Sequence, residues 1–316
     1  MMSSEPLVTI IMATYNGETF IEEQLQSIIE QDCGNKELLI ADDNSDDNTY
    51  SILARYAREY EWIHPRQNKK RLGLIGNFEA LLERAQGDYI SFCDQDDIWE
   101  REKLSKSVKR LEEEDNRQAL LFHSDLIVVD KSLETIALSF FKMRSYTFKK
   151  QQQVDAMLGR CGVMGNTMMI NQKLKSLVLP FPDDLKVHDY WIALINELYG
   201  KRLTSYEPLV RYRLHQTNTS NTLESIRGQG NSRIYIPRDK IKLPYLNINR
   251  EKNLKTLLLR YHLDEKEKRV ILDFIDYLEF KKSRLYLVIL IFRYDFLRDN
   301  LLYRFKTALK ILWKKR

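Results

Sequence analysis

Two carboxylates spaced as Asp-x-Asp follow an apolar segment near residue 90. Asp94 and Asp96 come directly after Tyr89–Cys93, and the apolar pair Ile98-Trp99 comes soon after them. In extended backbone, residues i and i+2 point the same way, so both carboxylates can face one ligand. Oxygen donors of this kind suit Mg²⁺ or Mn²⁺, which often share a substrate's phosphates. An isolated Asp-x-Asp is more often a solvated loop, so its place in the fold decides between the two.

Polar side chains also follow the first two predicted strands. Thr14 and Tyr15 end the first strand, and Asp42 and Asp43 end the second. A carboxylate there could accept a hydrogen bond from the imide N–H of a uracil or thymine ring, and Tyr15 could stack on the same base. The alternatives are an Asx-turn, which the Asp-Asn-Ser-Asp sequence favours, and a strand-end tyrosine partly in the core.

Further candidates lie downstream and in one basic loop. Asp189, next to His188, could be a general base or the N-cap of the helix that follows it. His215 could ligate a metal or contact a diphosphate, and Arg213 could pair with phosphate oxygens. Arg71, the last residue of a basic triplet, could also reach a diphosphate. The alternative for each of these residues is an ordinary structural or solvated side chain.

Apolar segments that alternate with amphipathic ones predict the elements that position these residues. Strands and helices in turn indicate a mostly parallel sheet with right-handed crossovers. The predicted strands of the first hundred residues are 7–13, 37–41, 63–67 and 89–93, and the predicted helices are 18–30, 49–60 and 76–85. Ligands of such sheets bind beyond the carboxyl ends of the strands, where the polar clusters lie.

The second half of the chain has a less regular pattern. We predict strands at Leu120–Val129 and Gly162–Ile170, a helix at Asp189–Leu198 and an antiparallel pair within Leu203–Arg213. From about residue 228 the sequence indicates helices. A cluster of Ser, Asn, Gly and Gln at Asn221–Ser232 marks a soft boundary. We therefore expect a catalytic domain over residues 1–225 and a helical, basic region over residues 226–316.

Composition excludes several classes of protein. The chain has 316 residues, of which 43% are hydrophobic and 30% charged, so it is globular rather than disordered. A net charge of +5 is too small to indicate nucleic acid. Three scattered cysteines form neither a disulfide framework nor a zinc motif, so a reducing compartment is expected. No signal peptide is expected, because the first apolar run follows an acidic leader.

The basic charge is concentrated at the C-terminus. Residues 281–316 contain 11 Lys and Arg against 2 Asp, so this tail carries +9 and the remainder −4. Apolar residues from Leu301 to Trp313 recur at the spacing of one helix face, and the apolar run Leu285–Phe292 is too short to span a bilayer. The pattern predicts either a helix that lies on an anionic membrane or one that packs on the body of the protein.

Together, these motifs resemble family 2 glycosyltransferases, which have the GT-A nucleotide-diphospho-sugar transferase fold, an α/β fold with a mostly parallel, Rossmann-like sheet. The resemblance covers about residues 5–220 and rests on V-T-I-I-M-A-T-Y-N-G at 8–17, L-L-I-A-D-D-N-S-D-D-N-T at 38–49, G-D-Y-I-S-F-C-D-Q-D-D-I-W at 87–99 and the His188-Asp189 pair. Within the family, the sequence looks most like bacterial rhamnosyltransferases of cell-wall or capsular polysaccharide. That likeness rests on G-L-I-G-N-F-E at 73–79, S-D-L-I-V-V-D at 124–130, H-D-Y-W-I-A-L at 188–194 and Y-R-L-H-Q-T-N at 212–218.

The resemblance implies a role for each candidate residue. Asp189 would be the catalytic base, Asp96 a metal ligand, and His215 a metal or diphosphate ligand. The nucleotide would be held by Thr14, Tyr15, Asp42, Asp43, Arg71 and Asp94. The pocket for sugar and acceptor would be lined by Gly165, Asn166, Thr167, His188 and Trp191. Gly76-Asn77 stands where the family often has Arg-Asn, so Arg71 is a substitute for the usual diphosphate-binding cation.

The implied activity is a metal-dependent, inverting hexosyltransferase that uses Mg²⁺ or Mn²⁺. It would move rhamnose from dTDP-rhamnose to a lipid-linked surface polysaccharide, at the inner face of the plasma membrane. A UDP-hexose or UDP-N-acetylhexosamine donor is the alternative. A nucleotidyltransferase would need a Gly-rich basic loop after the first strand, which Thr14–Gly17 lacks, and a receiver-type signalling module would be much shorter. An inactive scaffold would not need the candidate carboxylates, all of which are present.

Overall fold

The structure is a computed structural model that describes residues 5–215, 250–297 and 300–313. The chain divides into two compact units. Of the described residues, the first unit contains 5–150, 163–181 and 187–215, and the second contains 151–162, 182–186 and those from 250 onward. The boundary predicted at residues 225 and 226, and the polar cluster around it, lie outside the described residues.

A single sheet of nine strands forms the centre of the first unit, in the order β3-β2-β1-β4-β8-β6-β9-β5 with β7 paired to β6. Four of the pairs are parallel: β1 with β2, β1 with β4, β2 with β3, and β6 with β9. The strands are β1 Val8–Thr14, β2 Lys36–Asp42, β3 Ile63–Gln67, β4 Tyr89–Cys93, β5 Ile98–Trp99, β6 Ala119–Asp130, β7 Thr135–Ala137, β8 Met169–Asn171 and β9 Gly200–Leu214.

The central strands β1 and β4 are mostly apolar because helices of this α/β fold cover the sheet. Every residue of β1 and β4 is buried, as expected for parallel strands with both faces covered. The first unit contains the helices α1 Ile21–Ile29, α2 Thr49–Glu59, α3 Gly73–Arg84, α4 Lys103–Glu112, α5 Phe140–Arg144, α7 Gln172–Val178 and α8 His188–Tyr199. Helix α1 buries Ile21, Leu25 and Ile28, which recur at helical spacing and form its core-facing stripe.

Strand directions bring the polar clusters to one edge of the sheet. Thr14 pairs in register with Asp42, and Cys93 pairs with Met12, so Asp94 follows at the same edge. Strand β8 is antiparallel to both β4 and β6, so β6 and its parallel partner β9 run in the direction of β4. His215, which follows β9, therefore leaves the sheet at the edge where Asp94 does.

Two predictions in the second half of the chain are wrong. Of Gly162–Ile170, only the end forms strand β8, and Gly165–Thr167 is a 3₁₀ turn instead. The segment Leu203–Arg213 is not an antiparallel pair but part of the single strand β9, which pairs with β6 on one side and β5 on the other. Both results depend on partners that are distant in sequence.

The second unit is helical where it is described. Its helices are α6 Val154–Gly159, α9 Arg250–Arg260, α10 Glu265–Glu279, α11 Arg284–Arg293 and α12 Leu301–Trp313. Asp273 on α10 is buried and accepts hydrogen bonds from the hydroxyls of Tyr286 and Tyr294, at 2.7 and 2.8 Å. These bonds tie α10 to α11. Among the described residues, no helix is both long enough and apolar enough to cross a membrane.

Candidate active site

Asp96 and His215 form the pair at the open edge of the sheet. The Nε2 atom of His215 lies 2.7 Å from Oδ2 of Asp96, although the two residues are 119 positions apart. The side chain of His215 is 12% exposed and that of Asp96 is 14% exposed, so the pair is largely buried but still accessible to solvent. The ring of Phe20 lies 4.9 Å from the imidazole and supports it. The fold thus brings these two side chains together, and their role as metal ligands stays a prediction.

Arg213 holds this pair in place from beneath. Its guanidinium donates to the backbone oxygens of Asp96 and Lys131, each at 2.9 Å, and to the Glu23 carboxylate. Its backbone N–H donates to Oδ1 of Asp97 at 3.1 Å. Only 2% of Arg213 is exposed. The hypothesis that Arg213 pairs with phosphate oxygens is therefore wrong for this arrangement, because protein oxygens already occupy its donors.

A second connection runs from the Asp-Gln-Asp-Asp turn to Asp189. The Nδ2 atom of the buried Asn166 donates to the carboxylate of Asp97. The neighbouring Gly165 donates its backbone N–H to Oδ2 of Asp189 at 3.2 Å. Oδ1 of Asp189 accepts from the backbone N–H of Tyr190 at 2.6 Å. These bonds fix the orientation of the Asp189 carboxylate, which stays partly exposed.

Asp189 is not the N-cap that we considered as an alternative. Helix α8 begins at His188, and Val187 occupies the N-cap position. Asp189 lies in the first turn, where the helix dipole favours a negative charge. The N-cap alternative is therefore wrong, and the hypothesis of a general base remains.

Crowded carboxylates dominate the electrostatics of the site. Burial, together with the negative charges of Asp96 and Asp189, raises the pKa of Asp94 to about 7. Burial and the charges of Asp96 and Asp94 also raise the pKa of Asp97 well above its ordinary value. The charge of Asp189 acts on Asp94, so these two carboxylates are close enough to interact. Like charges in this proximity favour the uptake of a proton or a cation.

The donor set fits a divalent cation only in part. Among residues 5–215, 250–297 and 300–313, no group of three or more His, Cys, Asp or Glu side chains is arranged to hold a metal. Asp96 and His215 offer one oxygen and one nitrogen donor, and the Asp94 carboxyl, with its raised pKa, interacts with Asp96. Mg²⁺ and Mn²⁺ bind through few protein ligands when substrate phosphates and water complete the coordination. The residues therefore fit a metal that arrives with a phosphorylated substrate.

Asp42 shapes its own loop in this structure. It is fully buried and accepts from the Thr14 hydroxyl at 3.1 Å, the Ser45 hydroxyl at 2.6 Å and the Gln67 amide at 3.1 Å. The Ser45 backbone N–H also donates to it, at 3.0 Å. This arrangement corrects the predicted base contacts of Asp42 and Thr14, because neither side chain has a free, exposed polar atom. It matches the alternative in which the acidic run makes a local turn.

Asp43 organises the start of α3. Its carboxylate accepts the backbone N–H groups of Leu72 and Gly73, at 2.7 and 2.9 Å, and the Asn68 amide at 3.0 Å. Burial by itself raises the pKa of Asp43, but the hydrogen bonds from Leu72, Asn77, Asn68 and Gly73 outweigh it and hold the pKa below its usual range. The direct base contact predicted for Asp43 is thus corrected: its carboxylate binds the Asn68–Gly73 loop.

Tyr15 and Arg71 remain accessible beside this loop. The Arg71 guanidinium lies 3.6 Å from the centroid of the Tyr15 ring, a cation–π contact. The side chain of Gln95, the middle residue of Asp-x-Asp, accepts a hydrogen bond from the Tyr15 backbone N–H at 2.9 Å. It also donates to the Tyr15 backbone oxygen at 3.1 Å. A side chain at Gly17 would collide with Gln95. Gln95 was not among the predicted site residues, since its partner Tyr15 lies 80 positions away.

Four of the five residues predicted to line the sugar pocket are buried: Asn166, Thr167, His188 and Trp191. Trp191 is fully buried and donates its indole N–H to Val178 at 3.0 Å. His188 stacks on Phe78 with 4.3 Å between ring centroids, and burial lowers its pKa to about 3. Thr167 is 1% exposed. We therefore correct their role from lining the pocket to supporting it.

The 3₁₀ turn leaves two buried polar atoms next to the site. Within the described part of the chain, Nε2 of His188 and Oδ1 of Asn166 have no hydrogen-bond partner. The Nε2 atom lies close against Gly165, where an added Cβ would come within 2.9 Å of it. Of the five residues predicted for the pocket, Gly165 is the one that remains partly exposed.

A buried lysine supports the strand that carries the Asp-x-Asp motif. Lys103 on α4 donates to the Ser91 hydroxyl at 2.9 Å, and its ammonium lies 3.5 Å from the centroid of the Trp99 ring. Burial lowers the pKa of Lys103 to about 7. Nothing in the local sequence distinguishes Lys103 from the solvated lysines of the same helix, so it was not predicted.

Comparison with known proteins decides the family. The sequence profile of Glycosyl transferase family 2 matches residues 9–175, which is more than half of the chain. The chain belongs to this family. The match covers the strands β1, β2 and β4 and the polar groups that follow them.

Curated relatives carry glycosyltransferase names. TuaG of Bacillus subtilis, assigned to teichuronic acid biosynthesis, is 37% identical over 109 residues, which are 34% of this chain and 43% of TuaG. An uncharacterized glycosyltransferase of Haemophilus influenzae is 28% identical over 84% of both chains. WfgD of Escherichia coli, named as a UDP-Glc:α-D-GlcNAc-diphosphoundecaprenol β-1,3-glucosyltransferase, is 27% identical over 71% of this chain and 83% of WfgD. The chain thus spans less than half of TuaG but most of the other two.

Solved structures confirm the predicted fold. TarS 1–349 of S. aureus superposes with a TM-score of 0.60 at 18% identity, over 96% of this chain and 79% of TarS 1–349. The mannosyltransferase PcManGT of Pyrobaculum calidifontis, solved with GDP-Man and Mn²⁺, gives a TM-score of 0.57 at 17% identity, over 99% of this chain and 89% of PcManGT. The chain has the GT-A fold, with a helical C-terminal region.

Proposed function

We propose that this glycosyltransferase moves a hexosyl unit from a nucleoside diphosphate sugar to a hydroxyl of a lipid-linked surface polysaccharide, with inversion. The observation that carries the proposal is the hydrogen-bonded link between the two turns: Asn166 donates to Asp97, next to Asp96, and Gly165 donates to Asp189. A base on one side and a cation-attracting group on the other are what a displacement at a sugar carbon needs.

Asp189 is the base in this proposal. The N–H groups of Gly165 and Tyr190 donate to its two oxygens, which fixes the orientation of the carboxylate. It takes the proton of the acceptor hydroxyl as that oxygen attacks the anomeric carbon, and the diphosphate departs from the opposite face. A single displacement of this kind inverts the anomeric configuration.

Asp96 and His215 would hold the Mg²⁺ or Mn²⁺, with Asp94 beside them near the ribose or sugar. The metal, when bound, neutralises the charge of the departing diphosphate. Support comes from the 2.7 Å pair of Asp96 and His215 and from the crowding of carboxylates around Asp94. PcManGT, which shares the fold, was solved with Mn²⁺.

Tyr15 and Arg71 would hold the nucleotide. Both are accessible at the edge of the sheet, and their contact already places a cation beside an aromatic face. Gln95 holds the Tyr15 backbone against the Asp-x-Asp turn through two hydrogen bonds. The residues proposed to bind the base and the diphosphate would therefore be connected to that turn. Asp42 and Asp43 would act through the loops that they shape.

Two donors are proposed, on different grounds. The motifs that resemble rhamnosyltransferases favour dTDP-rhamnose. A UDP-hexose or UDP-N-acetylhexosamine is favoured by the relatives, since WfgD is named for UDP-Glc and TarS was solved with UDP-GlcNAc. A lipid-linked acceptor is consistent with the diphosphoundecaprenol in the name of WfgD. We place the reaction at the inner face of the plasma membrane, where such an acceptor would be reached.

A donor screen tests this proposal. The purified full chain is incubated with Mn²⁺, a lipid-linked acceptor and each donor in turn: dTDP-rhamnose, UDP-glucose, UDP-galactose and UDP-N-acetylglucosamine. We expect one donor to yield free nucleoside diphosphate and a product whose mass grows by one sugar, with the inverted linkage by NMR. In a parallel incubation with added pyrophosphate, release of sugar 1-phosphate and nucleoside triphosphate would instead indicate a nucleotidyltransferase. A retained linkage would contradict the single displacement.

A further inference from the structure

Helices α11 and α12 expose a large apolar surface in the second unit. On α11 it consists of Leu285, Ile289 and Phe292, which are 67%, 51% and 37% exposed and recur at the spacing of one helix face. On α12 the exposed side chains are Leu301, Leu302, Phe305, Leu309, Leu312 and Trp313, with Trp313 79% exposed. We call these nine residues the apolar face.

The two helices run antiparallel, so their exposed side chains form one surface. Arg284, at the start of α11, donates to the backbone oxygen of Leu312, near the end of α12, at 2.6 Å. Near the other end, the rings of Phe292 and Phe305 lie 5.2 Å apart. This register also places Ile289 beside Leu309. The exposed apolar side chains of the two helices are therefore neighbours and form one continuous patch.

Another side of α12 is buried against the rest of the second unit. Arg304, Thr307, Ala308 and Ile311 are buried there. The Arg304 guanidinium donates to Asp295 at 2.6 Å and to the backbone oxygen of Ile291 at 3.2 Å. The apolar face is thus the outward side of a packed helix pair, and rotation of α12 could bury it only by exposing these groups.

Unpaired cations border the apolar face. Lys306 and Lys310 lie between the buried and the apolar sides of α12, and Arg293 follows Phe292 on α11. None of the three forms an ion pair with a described residue, whereas Lys281 and Lys282, just before α11, face Glu279 and Asp276 at 3.2 and 3.8 Å. A surface of this composition needs a partner that is apolar at its centre and negative at its rim.

We propose that the apolar face inserts into the headgroup region of an anionic lipid bilayer. Aromatic and leucine side chains with flanking Lys and Arg are what interfacial helices use, and the rim cations complement acidic headgroups. A second copy of the chain would fit less well, because it would bring the same unpaired cations together. The inference deepens the proposed function, whose lipid-linked acceptor lies at such a surface, but it rests on the helix pair alone.

Co-sedimentation of the full chain with vesicles tests this inference without donor or acceptor. One set of vesicles is phosphatidylcholine and the other an equal mixture with phosphatidylglycerol, at low salt. We expect binding to the mixed vesicles, and weaker binding to phosphatidylcholine alone. Leu302→Gln/Leu309→Gln should reduce binding to the mixed vesicles by roughly tenfold, and Lys306→Gln/Lys310→Gln should reduce it on the mixed vesicles only.

The matched control is Leu259→Gln/Leu272→Gln. These leucines are 90% and 49% exposed on other helices of the same unit, so the same substitution there should leave vesicle binding unchanged. Gln is a good helix former, so neither double variant should unfold a helix. The inference is overturned if the unmodified chain does not bind, if the control loses as much, or if the chain is a dimer that only the Leu302/Leu309 variant dissociates. Because vesicle binding needs no sugar transfer, failure here is separate from failure of the proposed activity.

Discussion

Asn166 donates a hydrogen bond to the buried carboxylate of Asp97, 69 residues earlier in the sequence. This bond joins the turn that carries Asp96 to the turn whose Gly165 N–H holds Asp189. The two halves of the proposed reaction centre, one for the departing diphosphate and one for the attacking hydroxyl, are thereby fixed relative to each other.

Asn166→Asp should disrupt this link. It places a second carboxylate against the buried Asp97 and removes a hydrogen-bond donor, at a cost of about 1–3 kcal/mol or more in the free energy of unfolding. We expect a lower melting temperature and a lower kcat. The exchanged pair Asp97→Asn/Asn166→Asp restores an amide opposite a carboxylate and should recover most of both. A double variant no better than the single one would show that this bond does not position the site.

Arg71→Ala should weaken the binding of nucleoside diphosphates. The guanidinium is exposed and lies over Tyr15, so it is free to meet phosphate oxygens. Loss of one charge-assisted contact should raise the Kd for UDP or dTDP roughly tenfold. Calorimetric titration measures this, with Lys70→Ala as the control because Lys70 is exposed and adjacent.

Titration with the corresponding nucleosides locates the contact of Arg71. If Arg71 binds the diphosphate, Arg71→Ala and the unmodified chain should bind uridine or thymidine equally. An unchanged Kd for the diphosphate would instead restrict Arg71 to its contact with Tyr15.

The buried Lys103 predicts a pH dependence of stability. Its pKa falls from 10.5 to about 7 on folding, so between these values the unfolded chain binds more protons than the folded one. Stability contributed through this group should therefore rise with pH above about 7, by about 1 kcal/mol per pH unit. Below pH 7 the ammonium is charged in both states and the contribution is constant.

Urea unfolding of the chain and of Lys103→Met measures this effect. Met has a similar length and cannot titrate, so the difference between the two proteins isolates Lys103. We expect the unmodified chain to gain stability relative to Lys103→Met as the pH rises from about 7 to about 9.5. A difference that does not change with pH would contradict a neutral, buried lysine at this position.

Much of the fold could be predicted from the sequence because it is encoded locally. Strands β3 and β4 were predicted with the bounds observed, and β1, β2 and the helix α8 within a few residues. Strands β1 and β4 are buried and largely apolar, a pattern that can be read without knowledge of their neighbours, whereas β3 is mostly exposed and polar. The 3₁₀ turn at Gly165–Thr167 could not be predicted, since its conformation depends on the distant Asp97.

The sequence identified candidate site residues by their type, but it could not show which contacts they make. The Asp-x-Asp carboxylates and Asp189 carry their chemistry in the sequence itself. The Asp42 carboxylate accepts hydrogen bonds from Thr14, Ser45 and Gln67, and Arg213 is buried. Both features arise only when the loops are folded. From the sequence, Asp42 and Asp43 could each bind a ligand. The structure shows that both carboxylates accept hydrogen bonds from the protein itself.

The role of Asp189 as catalytic base is the central claim, and Asp189→Asn tests it most directly. The substitution keeps the size of the side chain and removes its basicity, so the account predicts that kcat falls about 10²- to 10⁴-fold while the Kd of the donor stays within about twofold. Asp183→Asn, at an exposed carboxylate in the segment just before α8, serves as the control and should keep full activity. Near-normal turnover of Asp189→Asn, with donor binding intact, would contradict the account.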